Sequence, residues 1–249
     1  MKAGIYPPEH VIVSDIRTDR LQYLAEEYGV STERSNAELA EKAEIVVLSI
    51  KPQKMTEALE SVKGTLKSGT LVISIAAGIK VANIADILGE VPIIRVMPNT
   101  PALIGEGASA LFANEKASSL MDKAMVIFSA VGKAVVVEDE DLIDVVTAVS
   151  GSGPAYYFLL MEEMIKAGVT LGLSESVAKD LVLQTARGAG LLAAQADRSD
   201  ESPAELRRKV TSPGGTTEAA IKVFTEGKFG ELISAAMTRA RDRGKELSK

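Results

Sequence analysis

The chain has 249 residues, of which 46% are hydrophobic and 25% charged, and it carries a formal net charge of −6 with no cysteine. This composition is typical of a globular protein and excludes disulfide and thiol chemistry, while the lack of a basic surplus argues against a nucleic-acid partner. No apolar run is long enough to span a bilayer, and residues 1–8 contain no signal-peptide core, so we expect a cytoplasmic protein. The single histidine, His10, argues against a metal site or a serine–histidine pair and predicts that a cofactor supplies the reactive group.

In the first half of the chain, short β-branched segments alternate with helical patterns. The predicted strands are residues 11–14, 45–50, 71–75, 93–96 and 133–137. The predicted helices are residues 19–27, residues 37–42 with Asn36 as their N-cap, a stretch after Pro52, and residues 81–88. Apolar strands that alternate with helices predict an α/β domain with a doubly wound parallel sheet.

After Glu138 the strand pattern stops, and only helical patterns follow. The predicted helices are residues 141–149, 154–168, 175–195, 203–210, 217–226 and 231–247. The acidic run at residues 138–141 marks the boundary, which predicts a nucleotide-binding domain at 1–138 and an all-α domain at 139–249. Residues 187–196 are small and apolar around most of the helix, which favours packing against a second subunit.

The first predicted strand ends at residues suited to reading a ribose. In a dinucleotide-binding fold, an acid at this point hydrogen-bonds an unmodified ribose, whereas an arginine accommodates a 2′-phosphate. Ser14, Asp15 and Arg17 offer both kinds, so NAD and NADP both stay open, with Ser14 and Arg17 favouring NADP. Taken alone, the segment also fits a solvated loop that caps a helix.

Three further predicted strands end in small or rigid residues. These are Lys51 and Pro52, then Ala76, Ala77 and Gly78, and then Met97, Pro98 and Asn99. Small residues let a ring or a pyrophosphate approach the backbone, and Asn99 offers an amide for a carboxamide or a substrate. Each loop alone also fits tight packing or a structural turn, but three at successive strand ends predict a cofactor-binding edge.

A dinucleotide-binding fold opens with a strand and a G-x-G-x-x-G loop about 20 residues before the ribose-reading acid. Only residues 1–10 precede the first predicted strand here, so we expect the chain to lack that strand and loop. We interpret this as a shortened chain or a start site placed too far downstream rather than as native loss. Similar glycine patterns at 151–153 and 188–193 follow or lie within helices and do not fit.

Two loops of the second half precede predicted helices. The segment SGSGPAY at 150–156 places proline in a first helical turn and offers an anion site, although it also fits an elbow between domains. In the segment SPGGTT at 212–217, the glycines free the backbone, and the following N–H groups suit a substrate carboxylate. A helix-capping turn explains the same residues.

Five segments in this order closely resemble the pyrroline-5-carboxylate reductase family, and the resemblance covers essentially the whole chain. They are SIAAGI at 74–79, RVMPNTPALIGEG at 95–107, FSAVGK at 128–133, EDLIDVVTAVSGSGPAYYF at 140–158 and VTSPGGTTEAAI at 210–221. The resemblance implies a Rossmann-like domain, truncated here at its first β-α unit, followed by an all-α dimerisation domain. It also implies a homodimer, which assembles into decamers in some family members.

The resemblance also implies roles for individual residues. Those implied to line the NAD(P) site are Asn36, Lys51, Pro52, Ala76, Ala77, Gly78, Met97 and Asn99. Those implied to bind the substrate carboxylate are Gly214, Gly215, Thr216 and Thr217. Thr217 is implied to approach the imine nitrogen, and Asp200 to lie near the substrate pocket, where family members often have glutamate.

The implied activity is reduction of L-1-pyrroline-5-carboxylate to L-proline by hydride from NADPH, with NADH as the alternative donor. This chemistry needs no strong protein acid, because the imine can arrive protonated or take a proton through Thr217 or water. A β-hydroxyacid-type dehydrogenase is the first alternative, with Lys166 or Lys179 as its acid or base. The second is a dimeric scaffold that is catalytically incomplete without the glycine loop.

Overall fold

The structure, a computed structural model, describes residues 3–247; Met1 and Lys2, which belong to the segment preceding the first predicted strand, lie outside it, as do the last two residues. The chain divides into two compact units. The first contains Met1–Ser152 and Arg239–Lys249, and the second contains Gly153–Thr238. The predicted domains 1–138 and 139–249 divide the chain elsewhere, and that division stays a prediction.

The first unit has an α/β architecture. Its elements are β1 (Ile12–Ser14), α1 (Thr18–Tyr28), β2 (Ser31–Glu33), α2 (Asn36–Lys42), β3 (Ile45–Leu48), α3 (Met55–Val62), β4 (Leu71–Ser74), α4 (Val81–Leu88), β5 (Ile93–Met97), β6 (Gly107–Ala113), α5 (Met121–Ser129), β7 (Gly132–Val136) and α6 (Leu142–Val146). A π-helical turn at Thr147–Gly151 follows α6. All five predicted strands are present, each shifted by at most two residues at an end.

Five strands form the main sheet, in the order β3-β4-β5-β6-β7. The pairs β3–β4, β4–β5 and β6–β7 are parallel, but β6 runs antiparallel to β5. The strand β6 was not predicted, because its glycine, alanine and serine residues are weak strand formers. β1 and β2 form a separate two-stranded parallel sheet.

The core lies on both faces of the main sheet. Val72 and Ile93 pack with α3 and α4 on one face, while Ile73 and Ile94 pack with α5 on the other. Successive residues of a strand point to opposite faces of the sheet. Because helices cover both faces, nearly every residue of these strands is apolar. This packing holds the carboxyl ends of β3 and β4 side by side at one edge.

The prediction that Asn36 caps α2 is wrong. Ser35 is the N-cap, and its hydroxyl accepts a hydrogen bond from the Glu38 N–H. Asn36 is instead the first helical residue, which leaves its side-chain amide available for other contacts. Two adjacent residues that are both good caps explain the one-residue error.

The second unit is helical. Its elements are α7 (Gly153–Thr170), α8 (Glu175–Ala196), α9 (Pro203–Lys209) and α10 (Thr216–Glu226), with the start of α11 (Phe229–Leu247), whose last residues from Arg239 belong to the first unit. Many apolar side chains stay exposed in the single chain, such as Leu191 at 56% and Leu192 at 53%. Apolar surface on this scale is typical of an interaction surface, and the predicted packing of residues 187–196 on a second subunit stays a prediction.

Candidate active site

Ser14 and Asn36 meet beside the end of β1. The Ser14 hydroxyl donates to the Asn36 carbonyl oxygen at 2.8 Å, and the Asn36 amide donates to the Ser61 hydroxyl at 3.0 Å. Both side chains are half-buried, so the chain of bonds fixes the direction of the Ser14 hydroxyl. The structure thus brings together two residues predicted separately for the cofactor site.

Arg17 extends into solvent at the start of α1. Its guanidinium hydrogen-bonds the Asp19 carboxylate, which lowers the pKa of Asp19 and raises that of Arg17. The Arg17 N–H donates to Asp15 at 2.8 Å, so the acid that could read a ribose is held in a local turn. An exposed arginine with only a solvated carboxylate partner stays available to a phosphate.

The loops after β3 and β4 differ in chemistry. Lys51 is exposed and forms no ion pair with any other described residue, and Pro52 begins a short 3₁₀ turn. Ala76 and Gly78 are buried, and Gly78 adopts a positive φ of 74° that glycine tolerates best. A cation beside a loop of small residues suits a phosphorylated nucleotide.

Met97 and Asn99 contact the loop that leads into α7. The Asn99 amide donates to the Ser150 carbonyl at 3.0 Å, while its own carbonyl accepts from the Ala108 N–H at 2.8 Å. A Cβ on Gly151 would lie 2.6 Å from the Met97 methyl, so the end of the Met97 side chain would have to move to make room for it. Met97 and Asn99 therefore pack directly against Ser150 and Gly151. Asn99 keeps only one amide hydrogen for a ligand.

The turn Gly214–Gly215 begins α10 in the second unit. Gly214 has a φ of 71°, and its N–H donates to the Glu218 carboxylate at 2.7 Å. Gly215 is the N-cap and has no side chain to cap the helix, so the first N–H groups of α10 lack a side-chain partner. An internal carboxylate already bound to this turn demonstrates that it accepts an anion.

Thr216 and Thr217 are the first two residues of α10, and neither hydroxyl has a hydrogen-bond partner among the described residues. Glu218 and Lys222 line an open, shallow cleft along this helix, together with Gly214 and Gly215. Asp200 is exposed in a left-handed turn with a φ of 55° after α8. No contact described here joins Asp200 to the turn that begins α10.

Sequence reasoning missed a buried ionic cluster. Arg95, on β5, is 1% exposed and donates to Glu140 at 3.1 Å and to Asp144 at 3.3 Å. A signal was present, because a charged residue inside an otherwise apolar strand requires a buried partner of opposite charge. In the sequence, the acidic run that provides Glu140 indicates a domain boundary but does not by itself identify the partner of Arg95.

Within residues 3–247 the chain offers neither a membrane-spanning helix nor a metal-binding cluster. None of the helices there combines the length and apolar character needed to cross a bilayer. No group of three or more histidine, aspartate or glutamate side chains in the same range is placed to hold a metal ion.

Comparison with known proteins gives matches along the whole chain. A family model described as pyrroline-5-carboxylate reductase dimerisation matches residues 140–247. A second, described as NADP oxidoreductase coenzyme F420-dependent, matches residues 1–78. The pyrroline-5-carboxylate reductase of Pseudomonas aeruginosa is 46% identical over 251 aligned positions, covering 100% of this chain and 91% of that protein.

Two solved structures are similar throughout. A pyrroline-5-carboxylate reductase from Coxiella burnetii has a TM-score of 0.93 and 42% identity, covering 99% of this chain and 92% of its own. The pyrroline carboxylate reductase of Plasmodium falciparum with NADP bound has a TM-score of 0.87 and 30% identity, covering 100% and 91%. Similarities to dehydrogenases below 25% identity concern the fold alone.

Proposed function

We propose that this chain, which belongs to the pyrroline-5-carboxylate reductase family, reduces L-1-pyrroline-5-carboxylate to L-proline with hydride from NADPH, the last step of proline biosynthesis. The observation that carries the proposal is the alignment of both units, at 46% identity, with a reductase of that name. Members of this family are NAD(P)H-dependent oxidoreductases, so the substrate and the preferred cofactor are what the proposal adds.

The proposed cofactor residues lie at the strand ends of the first unit. They are Ser14, Arg17, Asn36, Lys51, Pro52, Ala76, Ala77, Gly78, Met97 and Asn99. Arg17 and Lys51 are exposed cations that suit the phosphates of a nucleotide, and the small residues of the loop after β4 suit its flat ring. NADP is preferred over NAD because Arg17 can exchange Asp19 for a 2′-phosphate.

The proposed substrate residues lie in the second unit: Gly214, Gly215, Thr216, Thr217 and Asp200. The backbone of Gly214 and Gly215 and the start of α10 bind the substrate carboxylate. Without substrate, the Gly214 N–H donates instead to the Glu218 carboxylate. Thr217 holds the ring nitrogen through its hydroxyl, which has no other described partner. NADPH, when bound, would supply hydride to the C=N carbon. A neutral imine would take its proton from Thr217 or water, whereas an imine that arrives protonated needs none.

The alternative of a β-hydroxyacid-type dehydrogenase needs a lysine that exchanges a proton near neutral pH. Lys166 donates to Glu162 at 2.6 Å and to Glu163 at 2.8 Å, and these bonds raise its pKa. A raised pKa keeps the ammonium charged at neutral pH, which is the opposite of what a base requires. Lys179 is exposed, and the sequence around it contains no motif of a β-hydroxyacid-type dehydrogenase.

The proposed partner is a second copy of the chain. The dimerisation model matches residues 140–247, and the second unit exposes large apolar side chains such as Leu171 at 87% and Tyr157 at 66%. Light scattering on the purified chain should give the mass of a dimer or a multiple of it, such as a decamer. A folded monomer at micromolar concentration would contradict this part of the proposal.

The test is NADPH oxidation by the purified chain with racemic pyrroline-5-carboxylate, repeated with NADH. Thr217→Ala should reduce kcat about 100-fold or more, the contribution typical of one positioned proton donor. Thr225→Ala is the matched control, because that hydroxyl bonds only its own helix at Ile221. Turnover of a 3-hydroxy acid instead would favour the dehydrogenase, and a folded oligomer without nucleotide binding would favour the scaffold.

A further inference from the structure

The last turn of α11 lies directly on the loop after β4. A Cβ added to Gly78 would be 3.1 Å from the Leu247 Cβ and 3.2 Å from the Leu247 carbonyl carbon and oxygen. The contact therefore involves the backbone of Leu247 and not only a flexible side chain. Two distant segments, residues 76–81 and the end of the last helix, are in close contact.

A second contact holds the other end of this loop. The Glu140 carboxylate accepts the Val81 N–H at 2.8 Å, where Val81 is the first residue of α4. The same oxygen accepts from the buried Arg95 guanidinium at 3.1 Å. A carboxylate at a helix N-terminus is stabilised by the helix dipole, and burial strengthens this bond because little water competes for it.

A surface ion pair and a buried one flank Glu140. Lys80 pairs with Asp141 at 2.9 Å, which raises the pKa of Lys80 and lowers that of Asp141. This pair is solvated and contributes little by itself. Asp144 bonds Arg95 at 3.3 Å and lies against Gly244 of α11, so the acidic segment also contacts the last helix.

We propose that Glu140 and Leu247 are positioning residues for the cofactor: Glu140 through Val81 and Arg95, and Leu247 through Gly78, together fix the conformation of residues 76–81. This inference rests on the proposed function, in which that loop binds NADPH. Neither residue needs to contact the cofactor. The chain leaves the first unit at Ser152 and re-enters it at Arg239, so Glu140, Leu247 and the loop that they contact all belong to that unit.

The first experiment compares Glu140→Ala, Glu140→Gln and Glu138→Ala. NADPH binding is measured directly by quenching of cofactor fluorescence, and KM for both substrates is measured alongside. Glu140→Ala should weaken NADPH binding about tenfold, as expected for loss of a charge-assisted hydrogen bond, and leave KM for pyrroline-5-carboxylate within about twofold. Glu140→Gln keeps an acceptor for Val81 and should recover part of the affinity. Glu138 is exposed and makes no hydrogen bond or ion pair with another described residue. Glu138→Ala therefore removes the same charge without breaking a bond, and it should bind NADPH as tightly as the parent does.

The second experiment removes residues from the C-terminus. A chain ending at Glu246 lacks Leu247, whereas a chain ending at Leu247 keeps it. NADPH affinity should fall several-fold only in the shorter one, with thermal midpoints of the two within a few degrees.

The outcomes separate the two proposals. If the parent turns over pyrroline-5-carboxylate and the Glu140 and Leu247 variants bind NADPH normally, the positioning roles are wrong and the proposed function stands. If the parent binds NADPH but does not use that substrate, and the variants still lose affinity, the positioning roles stand and the substrate is wrong. A folded parent that binds no NADPH overturns both.

Discussion

The Asn99 side chain donates to the carbonyl oxygen of Ser150 at 3.0 Å, across 51 positions of sequence. Through this bond the turn after β5 and the turn before α7 form one joint. The other side of the same amide accepts from the Ala108 N–H at 2.8 Å. A single side chain thus satisfies two backbone groups of different segments.

Asn99→Ala should destabilise the first unit by about 1–3 kcal/mol, because it leaves the Ala108 N–H and the Ser150 carbonyl without their partner. Asn99→Asp keeps the acceptor but loses the donor, and it adds a charge beside a carbonyl. Both variants should lower the urea midpoint of unfolding. Equal stability of Asn99→Ala and the parent would contradict the bridging role.

Arg95→Met should destabilise the protein by about 3–5 kcal/mol, because it leaves the 2%-exposed Asp144 carboxylate without its partner. The double variant Arg95→Met, Asp144→Leu removes both buried charges and should recover a large part of that loss. Urea unfolding of the two variants and the parent measures the difference. Additive losses in the double variant would mean that the pair is not coupled.

Gly78→Ala tests the contact with Leu247 separately from backbone strain. Alanine at a φ of 74° costs about 1–2 kcal/mol wherever it occurs. Gly64 has a nearly identical φ of 77°, with nothing within 4 Å of an added Cβ, so Gly64→Ala provides the matched control. We expect Gly78→Ala to lose about 1–3 kcal/mol more than the control and to weaken NADPH binding. Equal losses of stability in the two variants would mean that Leu247 moves away from the added methyl group at no cost.

Glu218→Gln should lower KM for pyrroline-5-carboxylate roughly three- to tenfold with kcat nearly unchanged, because Glu218 competes with the substrate carboxylate for the Gly214 N–H and repels it. Glu231→Gln removes the same charge on α11, where Glu231 pairs with Lys228 and does not line that cleft, and should leave KM unchanged. The measurement is steady-state kinetics at saturating NADPH. A higher KM in Glu218→Gln would show that this carboxylate assists binding.

The strands were predictable because a strand that is buried on both faces of a sheet is apolar at nearly every residue. Most helices were predictable from their helical patterns. β2 and β6 escaped prediction for a physical reason: Ser31–Glu33 is short and polar, and Gly107–Ala113 is mostly small, so neighbouring strands rather than propensity make them strands. α5 was missed as well, since Met121–Ser129 carries no distinct cap.

The candidate site was predictable where local chemistry marks it and not where distant segments create it. Gly214, Gly215 and Thr217 stand out in sequence because a glycine turn before a helix exposes N–H groups. The bond of Ser14 to Asn36 depends on how two loops meet, and no spacing in the chain encodes it. Arg95 could have predicted its acidic partners, because a charged side chain inside an apolar strand requires a buried group of opposite charge.

The contact between Gly78 and Leu247 also has a consequence for biosynthesis. A ribosome makes residues 71–81 long before it makes the final helix, and N-terminal domains usually fold first during translation. Here the loop after β4 reaches its final environment only when Leu247 has left the exit tunnel. The nucleotide unit of this chain is therefore completed only after the whole helical unit has been made.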